Sequence, residues 1–91
     1  IVFVPNALDL NGLNNYWKPV IKMIDFSDYK VSIYNRQGEL IQLLTEIEQF
    51  WDGSIMNSNN IASMGVYIFQ LEFKNPDGKY FHKKGHITLI R

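Results

Sequence analysis

The chain has 91 residues, with nine Lys and Arg against nine Asp and Glu, 46% apolar residues and no cysteine. This length corresponds to one domain, and the apolar content is that of a folded chain, so we expect residues 1–91 to form a single domain that is monomeric in isolation. The balanced charge argues against a nucleic-acid partner, the lack of cysteine excludes disulfides and thiol chemistry, and no apolar run approaches the roughly 18 residues of a membrane helix.

The first half of the chain contains three predicted strands. Residues 1–5 are apolar and predict a short strand, and residues 19–24 predict a second one, whose proline suits a strand start or an edge. Residues 29–35 alternate between two faces, with Tyr29 and Val31 on the same side. That period indicates a strand half buried in a sheet.

The next segment offers two alternatives. Gly38 ends the turn sequence Asn35-Arg36-Gln37-Gly38, which predicts a hairpin between residues 29–35 and 38–44. The apolar residues of segment 40–51, however, fall at helical spacing. We expect the hairpin, with a strand through Leu44 followed by a loop or one helical turn.

The longest alternating stretch covers residues 65–74 and predicts a central strand. Asn75-Pro76-Asp77-Gly78 then predicts a hairpin to a last strand over residues 79–90, and a further strand is expected over residues 51–56. Short strands separated by frequent turns predict an all-β fold: a single immunoglobulin-like antiparallel β-sandwich of about seven strands, without the disulfide of antibody domains.

The chain shows no motif of catalysis or metal binding. His82 and His86 lie four residues apart on one predicted strand, hence about 13 Å from each other, which is too far for zinc bonds of about 2 Å. The segment 9–15 departs from a calcium loop because Leu13 occupies a ligand position. We therefore expect no enzyme activity, no cofactor and no metal.

The aromatic residues leave a second function open. Trp17, Trp51 and the tyrosines could form an exposed platform for stacking on sugars, or they could build the core. An accessory glycan-binding module or a structural spacer of a surface protein is therefore an alternative.

Six short patterns follow one another along the chain: Val4-Pro5-Asn6-Ala7, Asn11-Gly12-Leu13-Asn14-Asn15-Tyr16-Trp17, Ile33-Tyr34-Asn35-Arg36-Gln37-Gly38, Trp51-Asp52-Gly53, Gly65-Val66-Tyr67 and Lys84-Gly85-His86-Ile87-Thr88-Leu89-Ile90-Arg91. Together they resemble the gliding motility-associated C-terminal domain, the type B sorting domain of the type IX secretion system in Bacteroidota. The loop 6–17 lacks the Gly-Asp pair that is usual in that family, and it has Asn15 where a second Asp would stand. Whether this loop binds a cation is therefore left open.

The resemblance implies that the domain is a sorting signal and not an enzyme. Such domains stand at the C-terminal end of a larger protein, so the resemblance implies a cargo joined to the N-terminal side of this chain. The whole protein is exported to the periplasm. Outer-membrane components of the type IX translocon then recognise the domain, and the cargo reaches the cell surface or the medium. We expect recognition through the loop 6–17 and the segment 84–91, where the terminal strand would offer a free edge. The expected contact residues are Pro5, Asn6, Asn11, Gly12, Asn14, Asn15, Lys84, Gly85 and Arg91.

Overall fold

A computed structural model describes residues 1–12, 15–22 and 25–91 of the chain. This part of the protein is all-β, with no helix and therefore none long and apolar enough to cross a membrane. The strands are β1 (Val2–Phe3), β2 (Ala7–Asp9), β3 (Val20–Ile21), β4 (Ser27–Tyr34), β5 (Leu40–Leu44), β6 (Gly65–Lys74) and β7 (Tyr80–Ile90). They confirm the predicted immunoglobulin-like β-sandwich.

The strands form two sheets. The larger has the order β2-β7-β6-β4-β5, and the smaller pairs β1 with β3. Neighbours from β7 to β5 are antiparallel, as predicted, but β2 runs parallel to β7, with Ala7 opposite Thr88 and Asp9 opposite Ile90. Three residues are too few to show alternation, which is why the sequence did not predict β2.

The strand predicted over residues 51–56 is wrong. In its place the chain makes two isolated bridges, one between Trp17 and Trp51 and one between Ser54 and Ile61. Gly53 between them has a φ of +90°, a left-handed conformation that interrupts an extended strand. After Trp51 the chain therefore turns, and Gly53 O accepts from Ala62 N at 2.8 Å.

Segment 40–51 follows the hairpin interpretation instead of the helical one. The strand β5 ends at Leu44, and a turn follows in which Gln49 N donates to Glu46 O at 3.1 Å. The Gln49 Oε1 atom also accepts from Thr45 N at 2.7 Å and from Glu46 N at 2.9 Å. The side-chain amide therefore closes a single turn and satisfies backbone donors that would otherwise need water.

The core lies between the two sheets. Alternate residues of β6 point into it, as predicted, and Val2 and Ile21 of the small sheet pack against it. Trp17 and Trp51 are fully buried at its centre, with ring centroids 5.4 Å from Phe69 and 5.2 Å from Tyr67, respectively. The tryptophans therefore cannot form the exposed glycan platform, and that part of the alternative function is wrong.

Candidate recognition surface

The two segments expected to be recognised meet at one corner of the molecule. The strand β2 pairs with the last residues of β7, where Thr88 N donates to Asn6 O at 2.9 Å and Leu10 N donates to Ile90 O at 2.9 Å. We call this region, residues 5–12 and 15 together with 84–91, the terminal corner. The paired residues Ala7 and Thr88 are 81 positions apart in the chain.

Asp9 organises the loop that follows β2. Its Oδ1 atom accepts from Asn11 N at 3.0 Å, and its carbonyl oxygen accepts from Gly12 N at 3.1 Å. A Cβ atom at Gly12 would lie 3.0 Å from Asp9 Oδ2, so the turn is too tight for a larger residue without a shift of the carboxylate. Two backbone N–H groups of this loop therefore have partners, while the side chain of Asn11 is exposed.

The remaining loop residues have different surroundings. The carbonyl oxygen of Pro5 accepts from Trp17 Nε1 at 2.7 Å, which ties the start of the terminal corner to the core. The residues Asn6 and Asn15 are exposed, and Asn14 lies outside the described residues. Beside Pro5 is an open notch of about 310 Å³, lined by Phe3, Pro5, Ala7, Tyr16, Lys18 and Val20.

Gly85 in β7 has a packing role. It stands opposite Phe69 of β6, and a Cβ atom at this position would lie 2.7 Å from the Phe69 ring. Only glycine leaves room for the ring to lie across the strand. Glycine at residue 85 is therefore required by the packing of Phe69. The side chains of Lys84 and Arg91, in contrast, are exposed and available for contact.

The edge of the terminal strand is only partly free, which corrects the expectation for residues 84–91. The strand β2 covers β7 at Thr88, Leu89 and Ile90. Among the described residues, the edge without a partner strand lies earlier in β7, from Tyr80 to Ile87. Sequence reasoning missed this shift because it missed β2.

Two tyrosines have raised pKa values, and neither belongs to a catalytic arrangement. Burial raises the pKa of Tyr29 to about 12, and its hydroxyl has no hydrogen-bond partner among the described residues. Burial also raises the pKa of Tyr67, an effect that the positive charge of Arg91 opposes, and the Tyr67 hydroxyl donates to Ser63 O at 2.6 Å. Within the described ranges, no three His, Cys, Asp or Glu side chains are grouped so as to hold a metal ion.

The described part of the chain is thus a small β-sandwich with exposed polar residues beside the pairing of β2 with β7. The family model of the CHU_C type IX secretion signal domain matches residues 2–89. The chain belongs to this family. Comparison with curated proteins and with solved structures gave no match.

Membership of the family assigns the chain a sorting-signal role. A secretion signal domain interacts with the secretion machinery, is attached to a cargo and serves export towards the cell surface or the medium. The family is not a catalytic one.

Proposed function

We propose that this chain is the C-terminal sorting domain of a larger secreted protein. It directs the cargo joined to its N-terminal side through the periplasm, where the domain folds, and across the outer membrane by the type IX system of a gliding member of the Bacteroidota. The family match over residues 2–89 carries this proposal. The cargo then remains at the cell surface or enters the medium.

We further propose that outer-membrane components of the translocon recognise the terminal corner. The side chains of Asn6, Asn11, Asn15, Lys84 and Arg91 are exposed, and none of them donates or accepts a hydrogen bond within the described part of the chain. The pairing of β2 with β7 holds the backbone next to Asn6 and Arg91, and the bond from Asn11 N to Asp9 Oδ1 holds the backbone at Asn11. Such a preformed surface costs little conformational entropy on binding, which favours recognition by shape.

The residues of the terminal corner divide into two kinds under this proposal. Pro5, Gly12 and Gly85 shape the backbone, through the bond to Trp17, the tight turn at Asp9 and the contact with Phe69. Asn6, Asn11, Asn14, Asn15, Lys84 and Arg91 supply the contacts.

The test is an export assay in a bacterium that has a type IX system. A reporter enzyme with an export signal is fused to the N-terminal side of the chain, and its activity is measured at the surface, in the medium and in the periplasm. Removing the whole segment 84–91 is unsuitable because it would delete Ile87 and Leu89, whose side chains are 0% and 1% exposed. Substitutions of exposed residues avoid this loss of the core.

The informative variant combines Asn6→Ala, Asn11→Ala and Arg91→Ala, and its matched control combines Asn59→Ala, Asn60→Ala and Lys22→Ala. All six positions are exposed, so both proteins should unfold at the temperature of the unsubstituted domain. We expect the first to stay in the periplasm and the control to be exported. Normal export of the first variant would exclude the terminal corner, and failure to export the unsubstituted fusion would exclude the sorting function.

A further inference from the structure

The backbone of β7 offers unpaired hydrogen-bonding groups along one side. Its pairing with β6 keeps one register from Tyr80 to Leu89 without a bulge. Thr88 N and Ile90 O point away from β6, since both bond to the β2 segment. Because the N–H and C=O of one residue in a strand point to the same side and successive residues alternate, His82, Lys84 and His86 also direct both groups away from β6. No strand of the described residues pairs with them there.

The opposite edge of the five-stranded sheet is the short strand β5, of five residues. There, Ile41 O accepts from Met56 N at 2.8 Å, so a neighbouring segment occupies one of the outward-facing backbone groups. On the β7 side, the outermost strand β2 covers only three positions. The span from Tyr80 to Ile87, which we call the open edge, is therefore the longest unpaired stretch of the sheet in the described part of the chain.

Positive charge exceeds negative charge in β7 and the residues on either side of it. Residues 79–91 contain four of the nine Lys and Arg residues, both histidines and none of the nine acidic residues. The other 78 residues thus hold five basic and nine acidic residues. The ion pairs of the described residues, Lys30 with Glu72 and Lys74 with Asp28, do not involve β7. A chain with no net charge therefore presents a basic strand at an open sheet edge.

We propose that the open edge receives an extended acidic segment of the secretion machinery, which adds to the sheet as a sixth strand. This inference rests on the proposed sorting function and specifies the chemistry of the partner. The ladder would form through the backbone of His82, Lys84 and His86, a span of about six residues of the incoming strand. The side chains of Lys83 and Lys84 point to opposite faces, so acidic residues on either face of that strand meet a positive charge.

Edge lysines also have a simpler use, which is to prevent sheets from pairing edge to edge. Glutamate at the same positions would serve that use equally well, because either charge repels a copy of itself. Only an acidic partner requires the positive sign. Charge reversal therefore separates the two roles.

The decisive variant is Lys83→Glu/Lys84→Glu, tested in the reporter fusion. The control is Lys22→Glu/Asn59→Glu/Asn60→Glu, which makes the same change of net charge at exposed positions outside β7. Arg36 is unsuitable as a control position because it lines a surface depression together with Lys84. We expect export of the first to fall at least fivefold and export of the control to be unchanged, with both domains folded by circular dichroism. Wild-type export of Lys83→Glu/Lys84→Glu overturns the proposal.

A second variant tests the backbone ladder. Lys84→Pro removes an N–H group that points outwards and spares the bonds to β6, as proline does on edge strands. Compared with Lys84→Ala, which keeps the N–H group, it should lower export further, whereas equal export of the two folded variants contradicts pairing at this edge. If the fusion carrying the unsubstituted domain is exported and these variants are too, the edge proposal fails and the sorting function stands. If the unsubstituted fusion is itself retained, the sorting function fails.

Discussion

The contact between Gly85 and Phe69 shows how one residue can combine a place in a recognised segment with a packing requirement. The ring of Phe69 packs against Trp17 on one side and lies over Gly85 across the strand pair. A methyl group at residue 85 would therefore displace a ring at the centre of the core. The presence of glycine there is explained without any partner.

The substitution Gly85→Ala should lower the free energy of unfolding by about 1–3 kcal/mol, as overpacking of a core does. Phe69→Leu shortens the side chain that clashes, so Gly85→Ala should cost less in that background. Chemical denaturation of the four proteins of this double-mutant cycle measures the difference. An equal cost in both backgrounds would show that the ring is not the cause.

Tyr29 should make the domain sensitive to alkaline pH. Its pKa is raised from 10.0 to about 12 by burial, so the folded state keeps its proton over a range in which the unfolded state loses it. Tyr29 therefore leaves the free energy of unfolding unchanged below about pH 10 and lowers it as the pH rises towards 12.

Tyr29→Phe should remove this part of the alkaline loss, and it should not lower stability at pH 7, because the buried hydroxyl has no partner in the described residues. Thermal unfolding at a series of pH values measures both effects. Tyr80→Phe, at an exposed position, is the control. An unchanged alkaline slope in Tyr29→Phe would contradict the assignment.

At the scale of the elements, β2 determines where the edge of β7 is open. This strand has three residues, and its central residue Leu8 is fully buried. It attaches the start of the loop 6–17 to the end of β7 through a parallel pairing between distant parts of the chain. Without it, the unpaired edge would run to the end of β7.

Leu8→Ala should cost about 2–5 kcal/mol of unfolding free energy, since a large side chain is removed from the core. It should also loosen β2. The protection of the Thr88 amide, which donates to Asn6 O, should therefore fall more on substitution than the protection of the Leu71 amide in the central strand β6. Hydrogen exchange followed by NMR measures this. The exposed Ala7→Ser is the control, and protection of Thr88 that falls only as much as that of Leu71 would contradict an independent role for β2.

At the scale of the whole molecule, the two tryptophans join segments that are distant in sequence. Trp17 and Trp51 exchange backbone hydrogen bonds at 2.8 and 2.7 Å, and their rings lie against residues of β6. The indole N–H of Trp51 also donates to Ser54 O at 2.9 Å. Their burial connects the irregular segments to the large sheet in a single core.

We therefore expect one cooperative unfolding transition. Tryptophan fluorescence should shift to longer wavelength at the same denaturant concentration at which the β-sheet circular dichroism is lost. Acrylamide should quench the native fluorescence weakly and the unfolded fluorescence strongly. Two separate midpoints would show that the segments carrying the tryptophans unfold independently of the sheet.

The sequence by itself determined the elements whose pattern is local. The alternation of residues 65–74, the glycine of each hairpin turn and the apolar content were sufficient for β4 to β7 and for the sandwich class, and the resemblance in six patterns agreed with the family. Periodicity reports only which face of a segment is buried. It therefore failed at residues 51–56, where a positive φ at Gly53 interrupts the extended conformation.

Only the tertiary structure decided how these elements meet. The pairing of Ala7 with Thr88, the contact of Gly85 with Phe69 and the position of the open edge all join residues far apart or across strands. A hydrogen bond or a steric contact depends on the partner, and the partner is not encoded in the neighbouring residues. The composition of this neutral, cysteine-free chain was therefore compatible with a recognition domain. The surface of that domain was not predictable from composition, because the pairing of β2 with the end of β7 decides that the basic strand is left unpaired only up to Ile87.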